Sequence, residues 1–243
     1  MSKRRRLALS PSSPEVKAPH RRRLRQSESD ELDATMQRGY DPFEEQDWTR
    51  ACETWLPLWD RFKEVIRAWG IRGVVSTTKG PDTVYAGEQF FCNWCQDLEE
   101  ALGNAAAKDP TWWPRAMQYA REFRLLLPES ETLALVNLAI LEARGLDATG
   151  RLAERDTLLE RLPRLYPHSG WAWITWGDRW FDGGGWGWSG SRDVRKAKTI
   201  YELGLAGEVD EPEVLRERLQ SLAERSSARG TRSHRRSEEG RPA

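Results

Sequence analysis

The chain has 243 residues, enough for one large domain or two small ones, and its 38 basic and 38 acidic side chains cancel to a formal charge of zero. No stretch approaches the ~18 apolar residues of a membrane span, and three cysteines, Cys52, Cys92 and Cys95, argue against a disulfide framework in a chain of this size. The composition therefore predicts a soluble cytoplasmic protein with no membrane partner.

Charge is unevenly spread. Residues 1–26 carry Lys3, Arg4, Arg5, Arg6, Lys17, Arg21, Arg22, Arg23 and Arg25 against Glu15 alone, and residues 225–243 carry six arginines against Glu238 and Glu239. The body between them is acidic, at net −12. Both ends are rich in Arg, Ser and Pro and poor in large apolar side chains, so burial cannot offset the entropy of ordering them. They predict disordered basic tails over 1–40 and 227–243, flanking a helical domain over 41–226. The Lys3 to Arg6 run lacks the apolar core of a signal peptide, because "LALSPSSPE" turns polar after three residues.

The first predicted element is a long helix from Phe43 to Trp69. Trp48, Cys52, Trp55, Trp59, Phe62, Ile66 and Trp69 alternate steps of four and three along one stripe, a seam that packs on the body or dimerises. Pro57 predicts a kink or break in its middle. Residues 70–87 read as a linker. Helices follow over 88–107, 111–127, 131–144 (closed by Gly145), 151–165, 170–181, 194–205 and 212–225.

A repeat runs through these helices. Ala120, Phe123 and Pro128 recur 39 residues later as Leu159, Leu162 and Pro167, and Tyr201 with Gly204 recur after another 42. The fold class is therefore all-α: about three helical hairpins, preceded by the long kinked helix and followed by a capping helix. Trp173-x-x-Trp176-Gly177-x-x-Trp180 resembles the tetratricopeptide signature, with Ala197 and Tyr201 where the second helix of such a repeat puts its small residue and its aromatic. "FCNWCQDLEEALGNA" (91–105) and "ACETWLPLWDRFKE" (51–64) are similar to the tetratricopeptide-like region of bacterial proteins that often carry a zinc-binding SEC-C motif. The resemblance spans Trp48 to Leu222 and implies a repeat scaffold without supplying a reaction. The chain departs from that family in lacking a C-terminal cysteine cluster, so it implies no zinc site here.

Chemistry is sparsely encoded, and neither a catalytic residue nor a cofactor or metal site is predicted. Cys92 and Cys95 form a C-x-x-C, read either as a redox pair or half a zinc site, or as small apolar residues packed on a helix. His168 sits in a turn, where a solvent-exposed role outweighs a catalytic one. The glycines of "FDGGGWGWSGS" (181–191) lack the preceding strand and the Lys-Ser/Thr of a phosphate loop. Asp97, Glu99 and Glu100 read as a solvated helix face, and Asn93, Gln96 and Asp97, beside the apolar stripe, as buried polar groups tying adjacent helices together.

The glycine loop carries Trp186 and Trp188, either as a lid over a peptide groove or as a plug in the protein's own flank. The leading functional expectation is a non-enzymatic scaffold binding a protein or peptide through Trp186, Trp188, Trp173 and Asp178. The acidic body favours a basic partner, while Asp178 stands where the carboxylate clamp of chaperone-binding relatives presents Lys or Asn. The alternative is nucleic-acid binding through Arg4, Arg5, Arg6, Arg21, Arg22, Arg23 and Arg25.

Overall fold

The computed structural model describes residues 24–74, 85, 87–88, 90–181 and 187–239, the last fourteen as helical backbone. Those residues form nine α-helices and no strand: α1 (Gln26–Glu44), α2 (Trp48–Trp69), α3 (Phe91–Lys108), α4 (Trp113–Leu126), α5 (Thr132–Ala148), α6 (Leu152–Leu165), α7 (Gly170–Asp178), α8 (Val194–Ala206) and α9 (Pro212–Glu239). A 3-10 turn, Pro110–Trp112, leads into α4. No described helix is long and apolar enough to cross a membrane.

Helix α1 begins inside the stretch that composition assigned to a disordered tail. Leu32 and Met36, with Tyr40 and Phe43 behind them, form an apolar stripe at helical spacing that packs on α2, and Leu32 and Met36 are fully buried. The many carboxylates of the segment hid that stripe from a compositional reading. At its start the Glu28 carboxylate accepts from the Arg25 backbone N–H at 2.8 Å and from its guanidinium at 3.0 Å. Gln46, at φ 58°, turns the chain, and Asp47 caps α2 by accepting from the Arg50 N–H.

Helix α2 runs through Pro57 without the predicted break. Pro57 lies on the exposed side, so the backbone carbonyl it leaves unpaired faces water. On the opposite side Cys52, Trp55, Trp59, Phe62 and Ile66 are at most 1% exposed. The aromatic seam packs within the molecule: Trp55 meets Tyr40 of α1 and Trp94 of α3, and Trp59 meets Tyr119 and Phe123 of α4. Gly70, at φ 59°, closes the helix in a left-handed cap.

From α1 to α9 every helix packs on the next in sequence, and short connections set most successive helices antiparallel. Contacts also link α3 to α5, α5 to α7 and α7 to α9, so these four helices form a continuous row. Helix α5 lies in the middle of that row and is apolar on almost every side; Leu135, Val136, Leu138, Ala139, Ile140, Leu141, Ala143 and Leu146 are all buried. Gly145, expected to stop it, is internal. A Cβ there would lie 2.4 Å from Met117 Cγ, so the missing side chain is what lets α4 and α5 approach. The last helix also exceeds expectation, its backbone continuing to Glu239 into the predicted C-terminal tail.

Candidate functional site

Of the residues singled out as partner-binding, Trp186 lies outside the described residues. Trp188 is described and is 3% exposed, seated among Val136, Ala139, Ile140, Ala143, Leu159, Leu162 and Ala172. It plugs the flank formed by α5, α6 and α7 rather than standing open to a partner. Gly187 (φ 64°) and Gly190 (φ 92°) supply the left-handed backbone on either side of it.

Two arginines hold this strap in place. Arg155, wholly buried, donates to the Ser189 carbonyl at 3.0 Å and pairs with Asp147 and Asp156. Arg179 grips both Asp156 oxygens, at 2.7 and 3.2 Å, and donates to the Ser191 carbonyl at 2.9 Å. Burial raises the Asp156 carboxyl, but the hydrogen bonds from Arg179 and Arg155 outweigh it and hold the group below its ordinary range. Ser189 completes the clasp, its hydroxyl donating to Asp147 at 2.9 Å.

Trp173 is half-buried, its indole N–H donating to the Pro167 carbonyl at 3.1 Å and its ring lying over Gly204 of α8. Asp178 is sequestered rather than offered to a partner. It is 1% exposed, accepts from the Tyr201 hydroxyl at 2.6 Å and pairs with Arg218 at 3.1 Å. A carboxylate short enough to stay near the α7 backbone, with a donor on each neighbouring helix, ties α7 to α8 and α9. Of the candidate nucleic-acid residues, Arg4, Arg5, Arg6, Arg21, Arg22 and Arg23 lie outside the described residues, and Arg25 is engaged with Glu28 at the start of α1. His168 meets the Glu208 carbonyl at 2.6 Å in an exposed turn.

Cys92 and Cys95 are buried thiols, not joined in a disulfide, facing a cleft between α3 and α5. Glu99, one turn beyond Cys95, lines the same cleft beside Gln96, Glu131 and Leu138. It was read as part of a solvated face, yet burial pushes its carboxyl up to about 7, with Arg144 opposing that rise and Glu100 adding to it. The signal was present in the sequence, since Glu99 continues the Cys92 and Cys95 stripe at i+7 and i+4. The unfolded carboxyl ionises near 4.5 and the folded one near 7, so the cost of charging it accumulates as pH rises through that window. Glu99→Gln is therefore expected to match wild type at pH 4 and to be about 2 kcal/mol more stable at pH 8. Urea unfolding at both pH values checks this; an equal pH dependence for the two proteins would show that Glu99 is solvated.

The open surface lies on the opposite flank of α3. A groove open to solvent is lined by Gln37, Tyr40, Phe43 and Glu44 of α1 and by Glu88 just before α3. Gln37, Tyr40 and Glu44 share one face of α1 at steps of three and four. The Tyr40 hydroxyl donates to Asp97 of α3 at 2.7 Å, which sets the groove's width, and Tyr85 and the Glu88 N–H both donate to Asp33 at its upper end. Asp97 is half-buried; burial raises its carboxyl, against the opposing hydrogen bond from Tyr40. Glu44 and Glu88 remain exposed. The result is an aromatic floor with carboxylates along its rim. Sequence reading missed it because α1 itself was assigned to a tail.

Charge follows the same division. Helix α1 carries Glu28, Asp30, Glu31, Asp33, Asp41 and Glu44 against Arg38, and α3 carries Asp97, Glu99 and Glu100 against Lys108. Helices α4 and α8 lean the other way: α4 has Arg115, Arg121 and Arg124 against Glu122, and α8 has Arg195, Lys196 and Lys198 against Glu202. Acidity is thus concentrated on α1 and α3, the helices beside the groove.

No family model matches the chain, and comparison with curated proteins and with solved structures returns no match.

Proposed function

We propose that the protein is a non-enzymatic adaptor built as a tetratricopeptide-like solenoid, and that it holds a basic peptide segment in the groove beside Tyr40, Phe43, Glu44 and Glu88. The observation that carries this reading is the groove itself, an open channel that joins aromatic faces to exposed carboxylates. An arginine or lysine of an extended peptide stacks on a ring while its charge meets the rim, a combination that exceeds either contact alone. The contacts between successive odd helices support the solenoid arrangement, since repeats of helix pairs pack their first helices side by side.

The test is a titration of the full chain with a fluorescein-labelled nona-arginine peptide at low and at moderate salt. Binding is expected to weaken as salt rises. Glu44→Lys with Glu88→Lys is expected to lower the affinity at least tenfold while leaving the melting temperature near wild type, because both side chains are exposed. An affinity unchanged by the double substitution would place the binding elsewhere and sink the reading.

A further inference from the structure

We propose that Lys3, Arg4, Arg5 and Arg6 of this same chain seat in the α1 groove, making the basic N-terminal segment an internal competitor for the basic peptide; the inference rests on the peptide-binding reading above. Three observations lead there. The groove's rim carboxylates, Glu44 and Glu88, face solvent beside the rings of Tyr40 and Phe43. The run Lys3 to Arg6 has the complementary charge, with no acidic residue before Glu15. Finally, the geometry of the tether suits the span.

Leu24 packs on the core at the start of α1 and fixes the point from which the segment departs. From Gln26 the groove residues Gln37 to Glu44 lie about 17–27 Å along the helix, at 1.5 Å per residue. Lys3 to Arg6 precede Leu24 by about twenty residues, and at up to about 3.3 Å per residue that length of chain is enough to reach the groove. Between Leu24 and the groove, α1 also carries the carboxylates of Glu28, Asp30, Glu31 and Asp33. Glu28 is already paired with Arg25 and Glu31 with Arg61, so the groove, rather than this stretch, is the better seat for a fresh guanidinium.

Two measurements on the full chain test this. Zero-length carbodiimide coupling of dilute protein, followed by peptide mass mapping, is expected to join Lys3 to Glu44 or Glu88 within one molecule. Coupling of Lys3 to other carboxylates only, or between copies only, overturns the proposal. In the second, a variant with Arg4→Gln, Arg5→Gln and Arg6→Gln is expected to bind the labelled nona-arginine peptide at least tenfold more tightly than wild type. Equal affinities overturn it. If neither chain binds the peptide while Lys3 still couples to Glu44 or Glu88, the internal contact stands and the external-partner reading is the one that fails.

Discussion

Trp188→Ala is expected to destabilise the protein by about 3–5 kcal/mol, the range for removing a buried aromatic from a close-packed core. The indole is 3% exposed and is surrounded by apolar side chains of α5, α6 and α7. The cost belongs near the top of that range because the strap cannot follow the missing ring inward. Its backbone stays clamped by Arg155 on the Ser189 carbonyl, by Arg179 on the Ser191 carbonyl and by Asp147 on Ser189. A cavity that does not collapse keeps its full penalty. Urea unfolding followed by circular dichroism measures the difference, with a lowered midpoint at unchanged slope as the expected signature. A loss below about 1 kcal/mol would mean that the indole does not occupy this seat.

Asp178→Ala is expected to cost about 3–4 kcal/mol, because truncation leaves the Tyr201 hydroxyl and the Arg218 guanidinium without their shared acceptor. Asp178→Asn keeps an oxygen for Tyr201 and loses only the charge, so about half that effect is expected. A double-mutant cycle with Tyr201→Phe separates the two contacts, with a coupling of about 1 kcal/mol or more for a direct hydrogen bond. Equal, small losses for the alanine and asparagine variants would remove the ion pair and the hydrogen bond from the account. Asp178→Lys, which a surface-charge argument takes as a probe of partner binding, instead sets a second cation beside Arg218 in a fully buried position. Its expected consequence is unfolding.

The helical periodicity of the middle of the chain was readable because large apolar residues fall at steps of three and four with little competition. Helices α3, α4, α6 and α8 come within a few residues of their expected bounds for that reason. At Gly177 a Cβ would stand 2.1 Å from the Tyr201 ring, so the missing side chain is what lets α7 and α8 approach. What misled was composition used in place of periodicity. In α1 six carboxylates outnumber the few apolar residues, yet Leu32, Met36, Tyr40 and Phe43 suffice to seat the helix, and with it came the groove. Pro57 misled in another way, since its effect depends on which side of the helix it faces, and a single sequence does not give the neighbours that decide this. The roles of Trp188 and Asp178 turned on contacts with residues of other helices, beyond the reach of local spacing.

The strap that carries Trp188 leaves the chain between α7 and α8 and delivers its side chain to the pair before, α5 and α6. A stack in which each pair touches only its neighbours through helix faces unravels from its ends, one unit at a time. Here the connection of one pair is a structural part of another, fastened by Arg155 of α6 and Asp147 of α5. Opening α7 from α8 withdraws the plug from α5 and α6, and loosening α5 and α6 releases the strap. The two pairs therefore belong to a single foldon, and the weak seam of the molecule shifts away from the boundary between them.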